Sequence, residues 1–395
     1  GLRALAAFAR GRFAGRLVAV TGSVGKTTTK EMLRRICTAE GKTWAAEASH
    51  NNQWGLPLTL ARLPANAAFC VAEIGMNHAG ETAPLAALAR PHVAVITAIA
   101  PVHIGHLGSI EAIADEKAAL LGALEPGGTA VLPADSPLLE RLLARAGGAA
   151  VRLFGAAETA GVRLLESLED AEGSTVTADI DGHVATLRIA APGPHMASNA
   201  LAALAGAVAL GIGPEDAAAA LAGFTPGAGR GARRVIAVAG GSALLLDESY
   251  NASPVAVRAA LHVLALQPAR RRVVVLGDML ELGAHGAAEH AGLAPAVAGV
   301  ADALFTCGAL MRGLSEAVPA GLRAVHAADS AAASLQPGLA GMRERVDAVL
   351  HRARGDDPAV EFRRGIDVVI VEVEPGVTQP PRLRGREHAE RRAGL

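Results

Sequence analysis

The sequence predicts an α/β protein with two domains. Short β-branched runs alternate with Ala- and Leu-rich helical patterns, which is typical of a mostly parallel sheet. One such run leads directly into Gly25-Lys26-Thr27 and a helix, the setting of a phosphate-binding loop, or P-loop. A second α/β series follows the Gly-, Pro- and Arg-rich stretch 224–234. We therefore predict a P-loop central domain with a mostly parallel sheet, followed by a Rossmann-like α/β C-terminal domain.

The elements follow in order along the chain. A leading helix is expected within 1–15, before the first strand. The ATP-site domain is expected at 16–229, the C-terminal domain at 230–374, and a charged, disordered tail at 375–395. The apolar runs predict strands at 16–20, 69–74, 92–99, 128–133, 243–249, 271–279 and 301–308. Helical periodicity predicts helices at about 27–38, 82–90, 109–124, 195–210 and 254–266. The polar, alternating stretch 150–190 predicts a small antiparallel excursion.

Bulk composition excludes several classes of protein. The chain has 395 residues, 51% of them hydrophobic, and a formal net charge of -1, so no global bias towards nucleic acid or acidic membranes exists. Three widely spaced cysteines argue against a disulfide framework or a zinc cluster. No apolar run approaches the roughly 20 residues that span a bilayer. We expect a cytoplasmic, monomeric enzyme without membrane insertion.

Lysine is scarce in this chain. The four lysines are Lys26, Lys30, Lys42 and Lys117, and the remaining residues of the 37 Lys and Arg are all arginine. Because a guanidinium cannot replace an amine in every role, Lys26 and Lys117 become candidates for amine-specific chemistry.

The P-loop candidate is shorter than the common G-x-x-x-x-G-K-[ST] pattern. Val20 stands at the position of the usual first glycine, and Gly22 lies only three residues before Gly25. Glycines let backbone N–H groups approach phosphate oxygens, Lys26 can reach the β- and γ-phosphates, and Thr27 can ligate Mg²⁺. The predicted phosphate-binding residues are Gly22, Ser23, Val24, Gly25, Lys26, Thr27 and Thr28.

Two further stretches supply candidate metal ligands. Glu73 ends a buried strand beside the P-loop, where Mg²⁺ is commonly held. His103 lies in a loop after the next strand, and Ser109 can cap the helix that carries Lys117. In a chain that favours arginine, a helical lysine at this place indicates a specific role.

Seven motifs follow one another in order along roughly residues 15–330. They are "TGSVGKTTTK", "NNQWGLPLTL", "AEIGMNHAGE", "APVHIGHLGSIEAIADEK", "GPHMASNALAA", "DESYNASP" and "VLGDMLELG". Together these motifs resemble those of the Mur ligases. Tyr250-Asn251 and the Gly277–Gly283 motif resemble, within that family, the members that add D-alanyl-D-alanine to UDP-N-acetylmuramoyl-tripeptide.

The resemblance implies a peptidoglycan-precursor ligase that uses ATP and Mg²⁺. The substrate carboxylate would become an acyl phosphate, which the incoming amine attacks to form an amide. Thr27 and Glu73 would hold one Mg²⁺ and His103 would help to hold a second. Lys117 matches the lysine that the family carbamylates with CO₂, turning a cation into a metal ligand. Lys26, His103, Lys117 and Arg230 are thus the candidate catalytic residues, and the remaining nucleotide-site candidates are Asn199, Arg230, Glu248, Tyr250 and Asn251.

The chain departs from the family pattern in four places. Met196 and Ser253 stand where asparagine is usual, which puts one adenine-side or loop contact in question. No "KGS" segment follows about Ser330, which fits a diverged domain end, a shifted reading frame or a fused segment. The family's UDP-binding domain would lie before Gly1, so we expect this chain alone to bind Mg·ATP but to ligate slowly. Two alternatives stay open: a folylpolyglutamate-synthase-like ligase and a non-catalytic ATP-binding fragment.

Overall fold

The computed structural model describes residues 1–46, 49–238, 241–328 and 367–373. Within them, nine strands form the first sheet, in the order β2-β3-β1-β4-β5-β6-β7-β8-β9. The strands are β1 (Arg16–Thr21), β2 (Thr43–Ala45), β3 (Phe69–Glu73), β4 (Val93–Ile96), β5 (Thr129–Pro133), β6 (Ala150–Gly155), β7 (Val162–Glu169), β8 (Ser174–Ile180) and β9 (His183–Ile189).

Helices cover both faces of this sheet. They are α1 (Leu2–Gly11), α2 (Lys26–Glu40), α3 (Gly55–Ala61), α4 (Thr82–Ala89), α5 (Ile104–Leu107), α6 (Ile110–Ala118), α7 (Leu139–Ala146), α8 (Pro194–Ala209) and α9 (Pro214–Leu221), with a 3-10 turn at Leu121–Ala123. Alternate β1 residues point to opposite faces: Val18 and Val20 join the core under α2 and α8, whereas Leu17 and Ala19 join the core under α3 and α4. The result is a three-layer α/β domain.

The strand order places a ligand crevice beside β1. β1 pairs in parallel with β3 on one side and with β4 on the other; the connection after β1 leads to β2 beyond β3, whereas the connection after β4 leads in the opposite direction to β5. In open α/β sheets, ligands bind outside the carboxyl ends of the strands at such a switch point. The P-loop follows β1 directly, and Glu73 ends β3 at the same edge.

The second sheet has the order β10-β11-β15-β12-β13-β14 among the described residues. Its elements are β10 (Ala232–Val238), β11 (Gly241–Asp247), α10 (Pro254–Ala265), β12 (Arg271–Gly277), a 3-10 turn at Gly283–His285, α11 (Gly286–Ala291), α12 (Ala294–Ala298), β13 (Ala303–Cys307), α13 (Met311–Ala317), β14 (Arg323–Ala327) and β15 (Asp367–Val373). β12, β13 and β14 are parallel, whereas β15 runs antiparallel to both β11 and β12.

The structure confirms the α/β fold class and corrects one part of it. The predicted antiparallel excursion at 150–190 begins only at β7, because β6 pairs in parallel with β5 and extends the parallel sheet. The predicted strand 92–99 ends at Ile96, where the chain turns into the loop beside the P-loop. The predictions for 375–395, and for most of the region after Ser330, lie outside the described residues. No helix in the described ranges combines the length and apolarity needed to cross a bilayer.

Candidate nucleotide and metal site

Two glycines of the P-loop stand where a side chain would collide with neighbouring elements. Gly22 has φ +150°, and a Cβ there would overlap the Thr97 hydroxyl. Gly25 has φ +82°, and a Cβ there would overlap the side-chain oxygen of Asn199. Such positive φ values also favour glycine over residues with a side chain. The shortened loop is thus tightly fitted between the end of β4 and helix α8.

Lys26 lies back across the loop that precedes it. Its Nζ donates to the carbonyl oxygens of Gly22 at 2.8 Å and Ser23 at 3.1 Å. Burial lowers the pKa of Lys26 and the nearby Arg230 lowers it further, while Glu73 opposes both effects. Phosphate oxygens would supply a negative charge beside this half-buried ammonium.

Thr27 and Glu73 form the candidate Mg²⁺ site. The Thr27 hydroxyl donates to Glu73 Oε2 at 2.9 Å, and Asn51 Nδ2 donates to Glu73 Oε1 at 2.7 Å. Glu73 is only 1% exposed. A hydroxyl and an oriented carboxylate are oxygen ligands of the type that Mg²⁺ prefers.

The donor set fits Mg²⁺ rather than a metal held by protein alone. No group of three or more His, Cys, Asp or Glu side chains suited to a metal ion occurs within the described parts of the chain. Mg²⁺ is usually bound by one or two carboxylates together with substrate phosphates and water, so Thr27 and Glu73 are sufficient protein ligands. His103, the other predicted ligand, contacts Glu281 of the second domain through Nδ1.

Lys117 is buried on α6, a helix that is fixed at both ends. Ser109 caps α6 by accepting from Ala112 N at 3.1 Å, as predicted from the sequence. Glu116, near the other end, accepts from the backbone N–H groups of Gly80 and Thr82, both at 2.8 Å. These contacts turn the neighbouring Lys117 inward, where it is 1% exposed.

The environment of Lys117 favours a neutral amine. Burial lowers its pKa well below the ordinary value, and Lys26 lowers it further, although Glu116 acts in the opposite direction. A neutral amine has the free electron pair that an ammonium lacks, so Lys117 can act as a nucleophile towards CO₂.

Arg230 reaches the P-loop from the start of the second domain. Its guanidinium lies 4.0 Å from the centre of the Tyr250 ring, and its Nη2 donates to Ser49 Oγ at 2.9 Å. Tyr250 N donates to Gly229 O at 3.1 Å, which ties the segment before Arg230 to the end of β11. The next residue, Asn251, is exposed. Stacking and hydrogen bonding therefore hold Arg230 beside Lys26.

A small pocket lies between the two domains. His195 and Met196 at the start of α8 line it from one side, and Glu248 lines it from the other. Asn199, which touches the P-loop, stands one helical turn further along α8. His195 Nδ1 is buried without a hydrogen-bond partner among the described residues, and burial lowers the His195 pKa to about 4. The pocket therefore lies beside the start of α8, the helix whose Asn199 touches the P-loop.

The raised pKa of Glu248, in the wall of this pocket, can be tested through the stability of the protein. Burial raises the pKa of Glu248 to about 8 from 4.5, with Asp247 adding to the effect and Arg230 opposing it. Between these pH values the unfolded chain loses the proton that the folded protein retains, so rising pH favours unfolding. Glu248→Gln removes this contribution. We expect its melting temperature, relative to the unmodified protein, to increase from about pH 5 to about pH 8.

Melting curves recorded at several pH values measure this effect. Glu158→Gln is the matched control, because Glu158 is exposed. A constant difference between the melting temperatures of the Glu248→Gln variant and the unmodified protein across this pH range would show that Glu248 keeps an ordinary pKa.

The sequence did not assign roles to two residues that the structure brings into the site. Ser49 contacts both Thr27 and Arg230, and Asn51 holds Glu73. Both belong to the polar run 49–53, and this density of side-chain amides and hydroxyls before a helix was the available signal. Ser253, one of the departures from the family pattern, caps α10 by accepting from Ala256 N at 3.3 Å.

Two family models match the chain. The Mur ligase middle domain matches residues 20–207, and the Mur ligase glutamate ligase domain matches residues 233–355. The second match continues beyond Ser330, the point after which the sequence departs from the expected pattern.

Two curated relatives illustrate the similarity over the length of the chain. The UDP-N-acetylmuramoyl-tripeptide--D-alanyl-D-alanine ligase of Bacillus subtilis (strain 168) is 35% identical over 269 residues, which are 68% of this chain and 57% of that protein. The Escherichia coli (strain K12) ligase of the same name is 34% identical over 331 residues, 83% of this chain and 72% of that protein. This chain therefore spans less than two thirds of the Bacillus relative.

Solved structures show the same architecture. MurF from Acinetobacter baumannii has a TM-score of 0.80 at 28% identity, covering 89% of this chain and 79% of that one. MurF ligase from Thermotoga maritima in complex with ADP has a TM-score of 0.70 at 24% identity, covering 89% and 82% respectively. At that identity the second likeness concerns the fold alone.

Proposed function

The chain belongs to the Mur ligase family, and we propose that it carries the ATP-dependent ligase that joins D-alanyl-D-alanine to UDP-N-acetylmuramoyl-tripeptide in peptidoglycan-precursor synthesis. The observation that carries this proposal is that Glu73, Lys117 and Arg230 lie around Lys26. Glu73 accepts a hydrogen bond from Thr27, and Glu73 and Arg230 both act on the pKa of Lys26. Lys26 in turn lowers the pKa of Lys117. The names of the relatives and the Tyr250-Asn251 motif support the choice of substrates.

In this proposal the nucleotide extends from the P-loop towards the start of α8. Its phosphates lie on the loop from Gly22 to Thr28, with Lys26 at the β- and γ-phosphates. Its base is directed towards the pocket beside His195 and Met196, where His195 Nδ1, which has no hydrogen-bond partner within the described ranges, can accept or donate a hydrogen bond. Asn199 lies between these two parts of the site, and Glu248 lies at the opposite wall of the pocket.

The reaction follows from how these residues handle charge. The terminal carboxylate of the tripeptide attacks the γ-phosphorus, ADP leaves, and an acyl phosphate forms. The amine of the dipeptide then attacks the acyl carbon through a tetrahedral intermediate, and phosphate leaves as the amide forms. Thr27 and Glu73 would hold Mg²⁺, His103 would lie near a second ion, and bound metal would neutralise charge at the phosphates. Lys26 and Arg230 stabilise the same charge from the protein side.

Lys117 is proposed to act as a carbamate. Its neutral amine adds to CO₂ and releases one proton, which gives an N-carboxylated side chain with one negative charge. That change places a carboxylate, a suitable Mg²⁺ ligand, where a buried cation would repel both the metal and Lys26. We further propose that the protein acts in the cytoplasm as a monomer.

Phosphate release in the presence of each candidate substrate tests the function. We expect ATP hydrolysis to accelerate only when UDP-N-acetylmuramoyl-tripeptide and D-alanyl-D-alanine are both present, with the ligated product identified by mass spectrometry. Stimulation by a pteroyl substrate instead would favour a folylpolyglutamate-synthase-like ligase. ATP binding without product under either condition would indicate a non-catalytic nucleotide-binding protein.

A further inference from the structure

A segment of the second domain packs directly on the loop that carries His103. The contact segment, residues 281–283, meets residues 103–105 at the start of α5. Gly105 N donates to Glu281 O at 3.2 Å, and the Glu281 carboxylate contacts His103 Nδ1. His103 and Glu281 both have positive φ, +64° and +66°. Two sharply turned backbones therefore face each other across the domain junction.

The approach is too close for a side chain between the two backbones. A Cβ on Gly105 would lie 2.7 Å from Gly283 N, and a Cβ on Gly283 would lie 2.8 Å from Gly105 Cα. Gly105 is helical, so its own backbone would accept alanine. What requires glycine at position 105 is the second domain.

The contact segment is fixed to its own domain from behind. His290 is fully buried, accepts from Met279 N at 2.9 Å through Nε2, and donates to Gly286 O at 2.6 Å through Nδ1. Met279 and Leu282 on either side of Glu281 are buried in the second core. Glu281 therefore moves only together with its domain.

We propose that Glu281 is a positioning residue that orients His103 as a metal ligand when the two domains dock. A carboxylate on Nδ1 fixes the proton at that nitrogen and leaves the Nε2 electron pair for the metal. The inference rests on the proposed function, since His103 is assigned to Mg²⁺ there. A residue of the second domain would then orient a metal ligand that belongs to the first domain.

Mn²⁺ binding is the direct test, followed by electron paramagnetic resonance in the presence of a non-hydrolysable ATP analogue. We expect Glu281→Ala to lower the affinity of one Mn²⁺ site by about 10- to 100-fold, the usual effect of losing a carboxylate behind a ligating histidine. Glu281→Gln should recover most of it, because the amide oxygen still accepts from Nδ1–H. Equal affinity in the alanine variant and the unmodified protein would overturn the proposal.

Gly105→Ala tests the docking separately from the carboxylate. The added methyl group should hold the domains apart, increase the radius of gyration in small-angle X-ray scattering, and lower Mn²⁺ affinity as Glu281→Ala does. Gly122→Ala is the matched control, because a Cβ at Gly122 meets nothing within 4 Å. Tight Mn²⁺ binding by the Gly105→Ala variant at an increased radius of gyration would contradict the coupling.

The outcomes separate this role from the function on which it rests. If the unmodified protein binds neither the ATP analogue nor Mn²⁺, the proposed function fails and the role of Glu281 fails with it. If the unmodified protein binds both and the variants bind equally well, only the positioning role fails. Circular dichroism of each variant establishes that it is folded.

Discussion

Replacing Lys117 with arginine is expected to abolish amide-bond formation while the protein stays folded. Lys117 is 1% exposed, and both its burial and Lys26 favour the neutral amine. A neutral lysine amine can add CO₂ to form the carbamate, whereas a guanidinium remains a cation at any working pH and cannot. The variant would therefore place a second permanent positive charge beside Lys26, where the reaction needs a carboxylate.

The carbamate can be observed directly and restored chemically. With ¹³C-labelled bicarbonate, the unmodified protein should show a carbamate carbon resonance that is missing from Lys117→Arg. Lys117→Ala should lose ligation and regain part of it with added formate or acetate, which can occupy the vacated carboxylate position. Lys42→Arg is the control, because Lys42 is exposed and its ammonium donates to Asn66 Oδ1 at 2.6 Å, away from the site. Full ligase activity in Lys117→Arg would exclude the carbamate.

Lys26→Ala is expected to weaken ATP binding by about 1.5–3 kcal/mol, the range for a charge-assisted hydrogen bond. That corresponds to a roughly 10- to 150-fold rise in the dissociation constant. Lys26 already lies over the loop, with Nζ on the carbonyls of Gly22 and Ser23, so little rearrangement is needed to reach a phosphate. Removing the Lys26 charge also makes stabilisation of the phosphates depend more on Arg230.

Isothermal calorimetry with Mg·ATP measures this effect. Lys42→Ala serves as the matched lysine variant on the surface and should bind ATP as the unmodified protein does. A dissociation constant of Lys26→Ala equal to that of the control would mean that the shortened loop is a structural turn only.

Local features of the site were predictable from the sequence. The strand before Gly22, the helix after Gly25 and the cap at Ser109 depend on neighbouring residues, whose periodicity and turn chemistry are visible in a single sequence. The scarcity of lysine singled out Lys117, and the structure places that residue in the interior. In each case the relevant physical interaction lies within a few residues.

Contacts between distant parts of the chain were not predictable. Asn51 holds Glu73 across 22 residues, and His103 meets Glu281 across 178. No periodicity encodes such pairs, because they depend on how strands are ordered and how the two domains meet. The prediction that β6 is antiparallel was wrong for the same reason. Polar alternation describes exposure on the two faces of a strand, and it does not specify which neighbour the strand joins.

The position of β15 bears on the order in which the protein can acquire its structure during synthesis. All strands of the first sheet are made by residue 189, so that domain can form while the ribosome is still translating the second. The second sheet must wait, because residues 367–373 lie between β11 and β12. Until they emerge, the β10–β11 hairpin and the β12–β14 unit have unpaired edges, which are open to wrong partners. Nascent chains that stall before residue 367 should thus depend on chaperones more than the finished protein does.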